Sequence, residues 1–338
     1  IEQGRIDEIK NELIATTKDA LNLISGDTPV GTYLFRDYGI CPYGGQRCFD
    51  GGEIIQSSQI RSAAPTGYLG SQNCIACRHF VTGPAFIGGL LSLQNEISLA
   101  AHLQYEQYDE LDQQLKQLNK QINEHDDAAY DAELHGGSSD LGIRNNLELQ
   151  KRKTLSEIES SAKKLDSILC DMNKIYRLLK QCQALVNSEA EALTDMTTDS
   201  PTKLIVQRDH ELQVIFEDVS FFKQLSEVCE NAEIYQSASS EMALAPRSQL
   251  LDKMALRNKV PLHMFSLDKK QQLVVGNQIT RLMLDRLKTW TKVDALIDGR
   301  ISLEDLTAEE RITKQELLKL ASPKLRENRI DIFNGKLL

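Results

Sequence analysis

Aromatic residues and long apolar runs are both scarce in this chain. Only 6% of its 338 residues are aromatic, and Trp290 is the single tryptophan. This composition is more typical of helices packed on one another than of a β-sandwich. No run of about 18 apolar residues occurs, which excludes a transmembrane helix, and the charged start lacks the apolar core of a signal peptide. We therefore expect no membrane partner.

Sequence motifs of common active sites are missing as well. The chain has no G-x-x-x-x-G-K-[ST] loop and no G-x-G-x-x-G turn after a strand, so no phosphate-binding loop is predicted. Its six histidines form no H-E-x-x-H pair. The sequence therefore predicts no enzymatic activity for this chain itself.

Acidic residues outnumber basic ones by 49 to 39, which gives a net charge of −10. A chain of this charge is not a general polyanion binder, so contact with nucleic acid would need a local basic face. Three of the seven cysteines are scattered over predicted helices, which fits a reducing cytoplasm better than a secreted disulfide framework. The chain starts without methionine in a helix-like stretch, and we expect it to be a fragment that a further domain precedes.

The hydrophobic pattern predicts a mainly α fold in several parts. These are an N-terminal helix at 1–29, a small loop-rich zinc-binding module at 30–90, a coiled-coil arm at 91–186 and a helical bundle at 203–338. The first part is expected to be helical over 5–24, and a linker is predicted at 187–202. The bundle is expected to contain helices at 207–233, 246–258, 267–290, 292–298 and 307–320.

Two stretches of the arm repeat apolar residues at alternating spacings of three and four, which is the pattern of a coiled coil. The first stretch carries Tyr108, Leu111, Leu115, Leu118 and Ile122. The second carries Leu155, Ile158, Ala162, Leu165, Leu169, Met172, Tyr176 and Leu179. Residues 90–126 have a net charge of −5 and residues 147–180 one of +3. Opposite charges and a short link predict an antiparallel hairpin, with pairing between two chains as the alternative.

Four of the seven cysteines lie within 37 residues of the loop-rich module. Cys74 and Cys77 form a C-x2-C knuckle, which presents two sulfurs to one metal ion. Cys41 and Cys48 form a wider C-x6-C pair, with a Tyr-Gly-Gly turn between them. We predict a structural zinc ion held by these four thiolates in a closed site, which leaves no open position for a substrate. Disulfides and buried free thiols are the alternatives, and His79 either replaces one ligand, lies beside the ligands or only packs.

Basic residues gather in two places. Around the cysteines, interleaved with tyrosines, lie Arg47, Arg61, Arg78 and His79. The C-terminal stretch 311–338 has a net charge of +4 and contains Lys324, Arg326 and Arg329. Basic and aromatic side chains together suit contacts with phosphates and stacked bases, so we expect these residues to bind DNA. The alternative is that they are ordinary solvated charges.

The cysteine-containing strings also carry a family resemblance. `CPYGGQRC` followed by `GYLGSQNCIACRHFVTGPAFIGGLLSLQNEISL` resembles the region after the catalytic domain in the gamma-mobile-trio integrases, which are large tyrosine-recombinase-type integrases of bacterial mobile islands. `VIFEDVSFFKQLSEVCENAEIY` and `VVGNQITRLML` resemble the C-terminal helical part of the same proteins. The likeness covers most of the chain, and `CRHFVTGPAF` is its most specific piece. The four cysteines are the residues that match the family pattern.

The resemblance implies a role in DNA integration and recombination on a mobile genetic element. The family's chemistry uses an Arg, a Lys, a His-x-x-Arg pair and a tyrosine nucleophile, and no such set can be matched here, so no catalytic residue is carried over. We interpret the chain as a non-catalytic DNA-binding and assembly region whose arm self-associates or binds a partner protein. One alternative is a coiled-coil adaptor that zinc stabilises and that has no DNA role. The other is an enzyme with its own active site.

Overall fold

The computed structural model describes residues 13–15, 33–52, 63–138, 140–193 and 220–321, with the backbone alone for 187–193. Its four short strands are β1 (Ile14–Ala15), β2 (Leu34–Arg36), β3 (Gly39–Cys41) and β4 (Val81–Thr82). Its α-helices are α1 (Ile87–Leu134), α2 (Leu141–Leu193), α3 (Phe221–Ile234), α4 (Glu241–Arg257), α5 (Lys269–Leu287), α6 (Trp290–Asp298) and α7 (Lys314–Ala321). The prediction of a mainly α fold is therefore confirmed. Within these ranges no helix has the length and apolar character that crossing a membrane requires.

The strands form one small sheet in the order β1-β4-β3-β2. Both β1 and β3 run antiparallel to β4, with Ile14 opposite Thr82 and Ile40 opposite Val81. The helix predicted over 5–24 is therefore wrong at Ile14–Ala15; the rest of that prediction lies outside the described residues. Pairing with the fully buried Val81 outweighs the weak helical periodicity of this stretch, because tertiary contacts override local propensity.

The chain divides into two compact units. In its described part, the first unit holds most of the sheet, the cysteine loops and the two long helices from residue 100 onward. The second holds residues 36–38, 85–99 and the helices from α3 to α7.

Helices α1 and α2 pack together as an antiparallel hairpin. Near the turn, the Arg144 guanidinium donates to the Asp126 carboxylate (Nε to Oδ1 2.8 Å). Further along, Gln104 Nε2 donates to Ser161 Oγ at 2.8 Å. Because residue numbers fall along α1 while they rise along α2 between these two pairs, the helices run in opposite directions. The predicted pairing of the two arms within one chain is present.

The seam of the second arm lies partly one residue away from its predicted register. Ile158, Leu165, Met172 and Leu179 are buried or half-buried as predicted, and Ala162 and Tyr176 are half-buried beside them. The other half of the seam is instead formed by the residues Thr154, Ser161, Ile168, Ile175 and Cys182. Leu155 and Leu169, which were predicted in the seam, are 43% and 47% exposed. The apolar pattern misses this register because Ser161 is polar, yet its hydroxyl is satisfied inside the arm by Gln104.

The second arm is also longer than predicted. Helix α2 continues to Leu193, so residues 187–193 are helical where a linker was expected. Residues 194–202 of that linker lie outside the described part. The run of glutamate, alanine and leucine from Glu189 to Leu193 explains the extension, since these residues have high helix propensity.

The described part of the bundle consists of α3 to α7 packed around one hydrophobic core. Its buried members include Leu251, Met254, Val275, Ile279 and Leu296. Helix α5 begins with a capping box between Asp268 and Gln271, and Gly299 ends α6 in a left-handed conformation. Residues 203–219 and 322–338 of the predicted bundle lie outside the described ranges.

The start of α4 differs from its prediction. The sequence pattern predicted that this helix starts at residue 246. The structure begins α4 at Glu241 and places Pro246 inside it. Proline itself has no N–H to contribute to the helix. Helix α7 begins at Lys314 rather than at the predicted residue 307, so it is shorter than predicted.

Candidate metal and nucleic-acid site

The four module cysteines line one small cavity. Cys41, Cys48, Cys74 and Cys77 all contribute to a cavity of about 20 Å³. This volume is enough for a single water molecule or a small ion. All seven cysteines of the chain are present as thiols, and none forms a disulfide. The tertiary structure thus brings together the two pairs that the sequence separates.

The first cysteine pair is held by a glycine turn. Gly44 and Gly45 adopt φ angles of +59° and +82°, the left-handed conformation that glycine tolerates best. The N–H of Gly45 donates to the sulfur of Cys41 (3.4 Å), and the thiol of Cys48 donates to the carbonyl of Gly45 (3.1 Å). The turn predicted from the Tyr-Gly-Gly sequence therefore points both sulfurs of this pair toward the same glycine.

The second pair flanks one short 3-10 helix, Cys74–Ala76: Cys74 begins it and Cys77 directly follows it. Asn73 caps this helix, because its Oδ1 accepts a hydrogen bond from the N–H of Ala76 at 3.3 Å. The N–H of Cys77 donates to the carbonyl of Cys74 at 2.9 Å, which closes the knuckle. The neighbouring Gly51 has no room for a side chain, since a Cβ there would lie 2.5 Å from the sulfur of Cys77.

The charge state of the cavity follows from its burial. Burial raises the pKa of the Cys77 thiol, and the nearby Cys41 and Cys48 raise it further. Within the described residues, no group of three or more His, Cys, Asp or Glu side chains is arranged closely enough to hold a metal ion. The four cysteines therefore share a cavity without forming a coordination sphere, and zinc binding stays a prediction.

Beside the cavity, three predicted DNA-binding side chains converge on Asp50. Arg47 donates to its carboxylate through Nε (3.2 Å) and Nη2, Arg78 donates through Nη2 (3.3 Å), and His79 Nε2 lies 3.2 Å from Oδ1. The Arg47 guanidinium also lies over the Tyr43 ring, 4.6 Å from its centre, and His79 meets the same ring edge to face. Two guanidinium groups and one imidazole therefore converge on a single carboxylate, and the Tyr43 ring packs against two of these groups.

The pKa shifts in this cluster have opposing causes. Burial on its own raises the pKa of Asp50, but hydrogen bonds with Arg47 and His79 outweigh it and lower the pKa overall. Burial lowers the pKa of His79 even though Asp50 acts in the opposite direction. The lowered pKa favours the neutral imidazole of His79, and the two arginines with Asp50 leave one net positive charge.

The other predicted DNA-binding residues cannot be placed beside this cluster. Arg61, Lys324, Arg326 and Arg329 all lie outside the described residues. The basic face near the cysteines is therefore described by Arg47, Arg78 and His79.

Sequence inspection missed the residues that organise the site. Asp50 went unnoticed among ordinary charged residues, and Asn73 among the polar residues before the knuckle. Asp171 lies about 100 residues away on α2, yet its Oδ2 accepts a hydrogen bond from Asn73 Nδ2 at 2.8 Å. One signal was available, because an asparagine directly before a short helical turn is a typical capping residue.

Comparison with known proteins adds no assignment to this geometry. No protein-family model, curated protein or solved structure matches the chain.

Proposed function

We propose that this chain is a non-catalytic DNA-binding and assembly region of a site-specific DNA integrase or recombinase. In this proposal a structural zinc ion stabilises the cysteine module, and the coiled-coil arm binds another copy or a partner protein. The observation that carries the proposal is the convergence of Arg47 and Arg78, from two different cysteine-bearing loops, on Asp50, with the Arg47 guanidinium over the Tyr43 ring.

This convergence supports contact with a nucleic-acid phosphate. Arg47 and Arg78 come from separate loops, so their positions depend on the fold that the cysteines organise. Their side chains remain 41% and 24% exposed, which lets a phosphate approach the guanidinium groups. Guanidinium groups bind phosphate through paired hydrogen bonds, and the adjacent aromatic ring suits stacking on a base.

Binding to labelled duplex DNA at a series of salt concentrations tests this part. We expect Arg47→Gln combined with Arg78→Gln to weaken binding and to reduce the slope of log K against log salt by about 2, roughly 1 for each lost phosphate contact. Arg300→Gln is the matched control, because Arg300 is also an arginine in an ion pair with a nearby aspartate, Asp298. Absence of DNA binding by the unaltered chain at low salt would contradict the proposal.

The zinc ion is the second part of the proposal. The shared cavity of the four cysteines supports it, and the sulfurs would close to about 2.3 Å around the ion while releasing their protons. We expect about one zinc per chain by elemental analysis. Cys74→Ser should release the metal, whereas Cys170→Ser, an exposed cysteine on α2, should retain it.

A coiled-coil adaptor without a DNA role is the second candidate. It is favoured by Asp50, because this carboxylate already occupies both guanidinium groups and would compete with phosphate. The DNA titration separates the two candidates. An adaptor binds zinc but shows no salt-dependent affinity for duplex DNA.

A further inference from the structure

Asp171 is a carboxylate with no solvent exposure on a helix that is otherwise part of a coiled coil. It directly precedes the seam residue Met172 and lies between the buried Ile168 and Ile175. Aspartate is seldom buried to this extent unless it is paired. Removing a carboxylate from water is costly unless hydrogen bonds replace its hydration. The partners of Asp171 therefore show why this position is acidic.

The partners of Asp171 come mainly from the cysteine module. Its Oδ2 accepts hydrogen bonds from Asn73 Nδ2 (2.8 Å) and from the N–H of Leu69 (3.2 Å). Its Oδ1 lies 3.2 Å from Lys174 Nζ, one turn further along α2. The loop that supplies these donors wraps closely, since a Cβ at Gly67 (φ +146°) would lie 2.4 Å from Oδ1. Two hydrogen bonds from the module therefore end at this one carboxylate, and Gly67 lies close against it.

Asn73 transmits this contact to the metal-binding cysteines. Its amide has one donating and one accepting end, and a carboxylate partner accepts only. Asp171 therefore holds the Nδ2 end, which leaves Oδ1 directed at the N–H of Ala76 inside the knuckle. Asn73 Nδ2 also donates to the carbonyl of Thr66 at 3.3 Å. Without Asp171, the amide loses the shorter of these two bonds, and the cap of the helix bearing Cys74 is weakened.

We propose that Asp171 is a positioning residue through which the coiled-coil arm sets the geometry of the Cys74–Cys77 knuckle. Metal binding and the folding of α2 around Asp171 then depend on each other, because a coupling between two sites acts equally in both directions. A change in the arm, such as engagement of a partner, would alter the metal affinity of the module. This inference rests on the metal site of the proposed function.

Zinc affinity of the full chain, measured by competition with a chromogenic chelator, tests the coupling. We expect Asp171→Ala to lower the affinity roughly 10- to 100-fold, the usual effect of removing a group that orients a metal ligand. Ser161→Ala is the matched control, because it removes another buried polar group of α2 whose bond, to Gln104, stays within the arm. Its zinc affinity should equal that of the unaltered chain. Circular dichroism of both variants checks that the helix content is retained.

An exchange of the two side chains gives an independent test. Asn73→Asp alone places two carboxylates against each other and should abolish zinc binding. Adding Asp171→Asn removes one of the two opposed charges and restores a donor opposite position 73, but this donor also faces the N–H of Leu69, so only part of the affinity should return. This pair keeps the test valid even if Asp171→Ala unfolds the arm.

A metal-free readout distinguishes positioning from general destabilisation. In the absence of zinc, Asp171→Ala should speed the alkylation of Cys74 and Cys77 relative to Cys41 and Cys48, as followed by peptide mass spectrometry. Equal acceleration at all four cysteines would overturn the proposal.

The zinc measurements separate failure of this inference from failure of the proposed function. Zinc binding that is the same in the unaltered chain, Asp171→Ala and Ser161→Ala overturns the coupling and leaves the metal site in place. An unaltered chain that binds no zinc overturns both.

Discussion

The buried guanidinium of Arg247 donates a hydrogen bond to the side-chain oxygen of Asn277, in the core of the helical bundle. Asn277 in turn donates through Nδ2 to the Glu233 carboxylate at 2.7 Å. The arginine thus reaches a carboxylate through an amide, while Nη2 also donates to the carbonyl of Leu273 at 3.0 Å. Gly276 makes this possible, because a Cβ there would lie 2.5 Å from Nη2.

Removing the amide should destabilise the bundle. We expect Asn277→Ala to cost about 2–3 kcal/mol of unfolding free energy, since a hydrogen bond to a buried charge is lost and Arg247 keeps its desolvation cost. Urea unfolding followed at 222 nm measures the change. Arg281→Ala, which breaks exposed ion pairs with Glu230 and Glu233, should cost less than about 1 kcal/mol. Equal effects of the two substitutions would argue against the role of the buried network.

The stability of the second unit should depend on the protonation of Glu96. Burial raises the pKa of Glu96 to about 7 from 4.5, although the N–H of Ser239 donates to it at 2.7 Å and opposes the shift. The folded chain therefore holds this proton more tightly than the unfolded chain. The resulting stabilisation is complete below pH 4.5 and is lost as the pH rises through about 7.

Thermal unfolding at several pH values measures this dependence. Glu96→Gln should flatten the fall in melting temperature between pH 4.5 and about 7, because glutamine still accepts from Ser239 but does not titrate. The buried Glu227, whose pKa is also raised by burial, will keep part of the slope. Glu110→Gln, an exposed glutamate on the same helix, provides the comparison. An unchanged slope in Glu96→Gln would refute the assignment.

The seam register of the arm can be tested with two apolar residues of α2. Ile175 is fully buried, so Ile175→Ala should cost about 2–5 kcal/mol and lower the helix signal of the arm at elevated temperature. Leu169 belongs to the seam by sequence pattern but is exposed, so Leu169→Ala should change stability by less than about 0.5 kcal/mol. The reverse ranking would restore the register that the apolar pattern predicts.

Gly51 should be intolerant of even a methyl group. Its φ angle of −77° suits any residue, so alanine causes no backbone strain, but the added Cβ would lie 2.5 Å from the sulfur of Cys77. We expect Gly51→Ala to displace Cys77 and to raise its alkylation rate, measured by mass spectrometry of the modified peptide. Gly142→Ala on α2, where the added Cβ would meet only the end of the flexible Asp140 side chain (3.0 Å), should leave Cys77 unaffected.

Local patterns were reliable where a single element decides the outcome. The two long helices follow from the heptads, and the turn between Cys41 and Cys48 follows from its two glycines. The failures occur where a distant partner intervenes. Ile14–Ala15 forms a strand because Val81 and Thr82 offer backbone partners, and Ser161 enters the seam because Gln104 satisfies its hydroxyl.

The sequence by itself determined that this chain is mainly helical, that two of its helices repeat as a coiled coil and that its cysteines come in two closely spaced pairs. These properties depend on neighbours within a few residues, through helix periodicity and turn geometry. Only the tertiary structure decided that the two pairs share one cavity and that Arg47 and Arg78 meet at Asp50. It also decided that Asp171 on the arm holds Asn73 beside the knuckle. A buried carboxylate needs hydrogen-bond donors, and these can come from residues far away in the sequence. A local sequence pattern cannot show which distant residues will supply them.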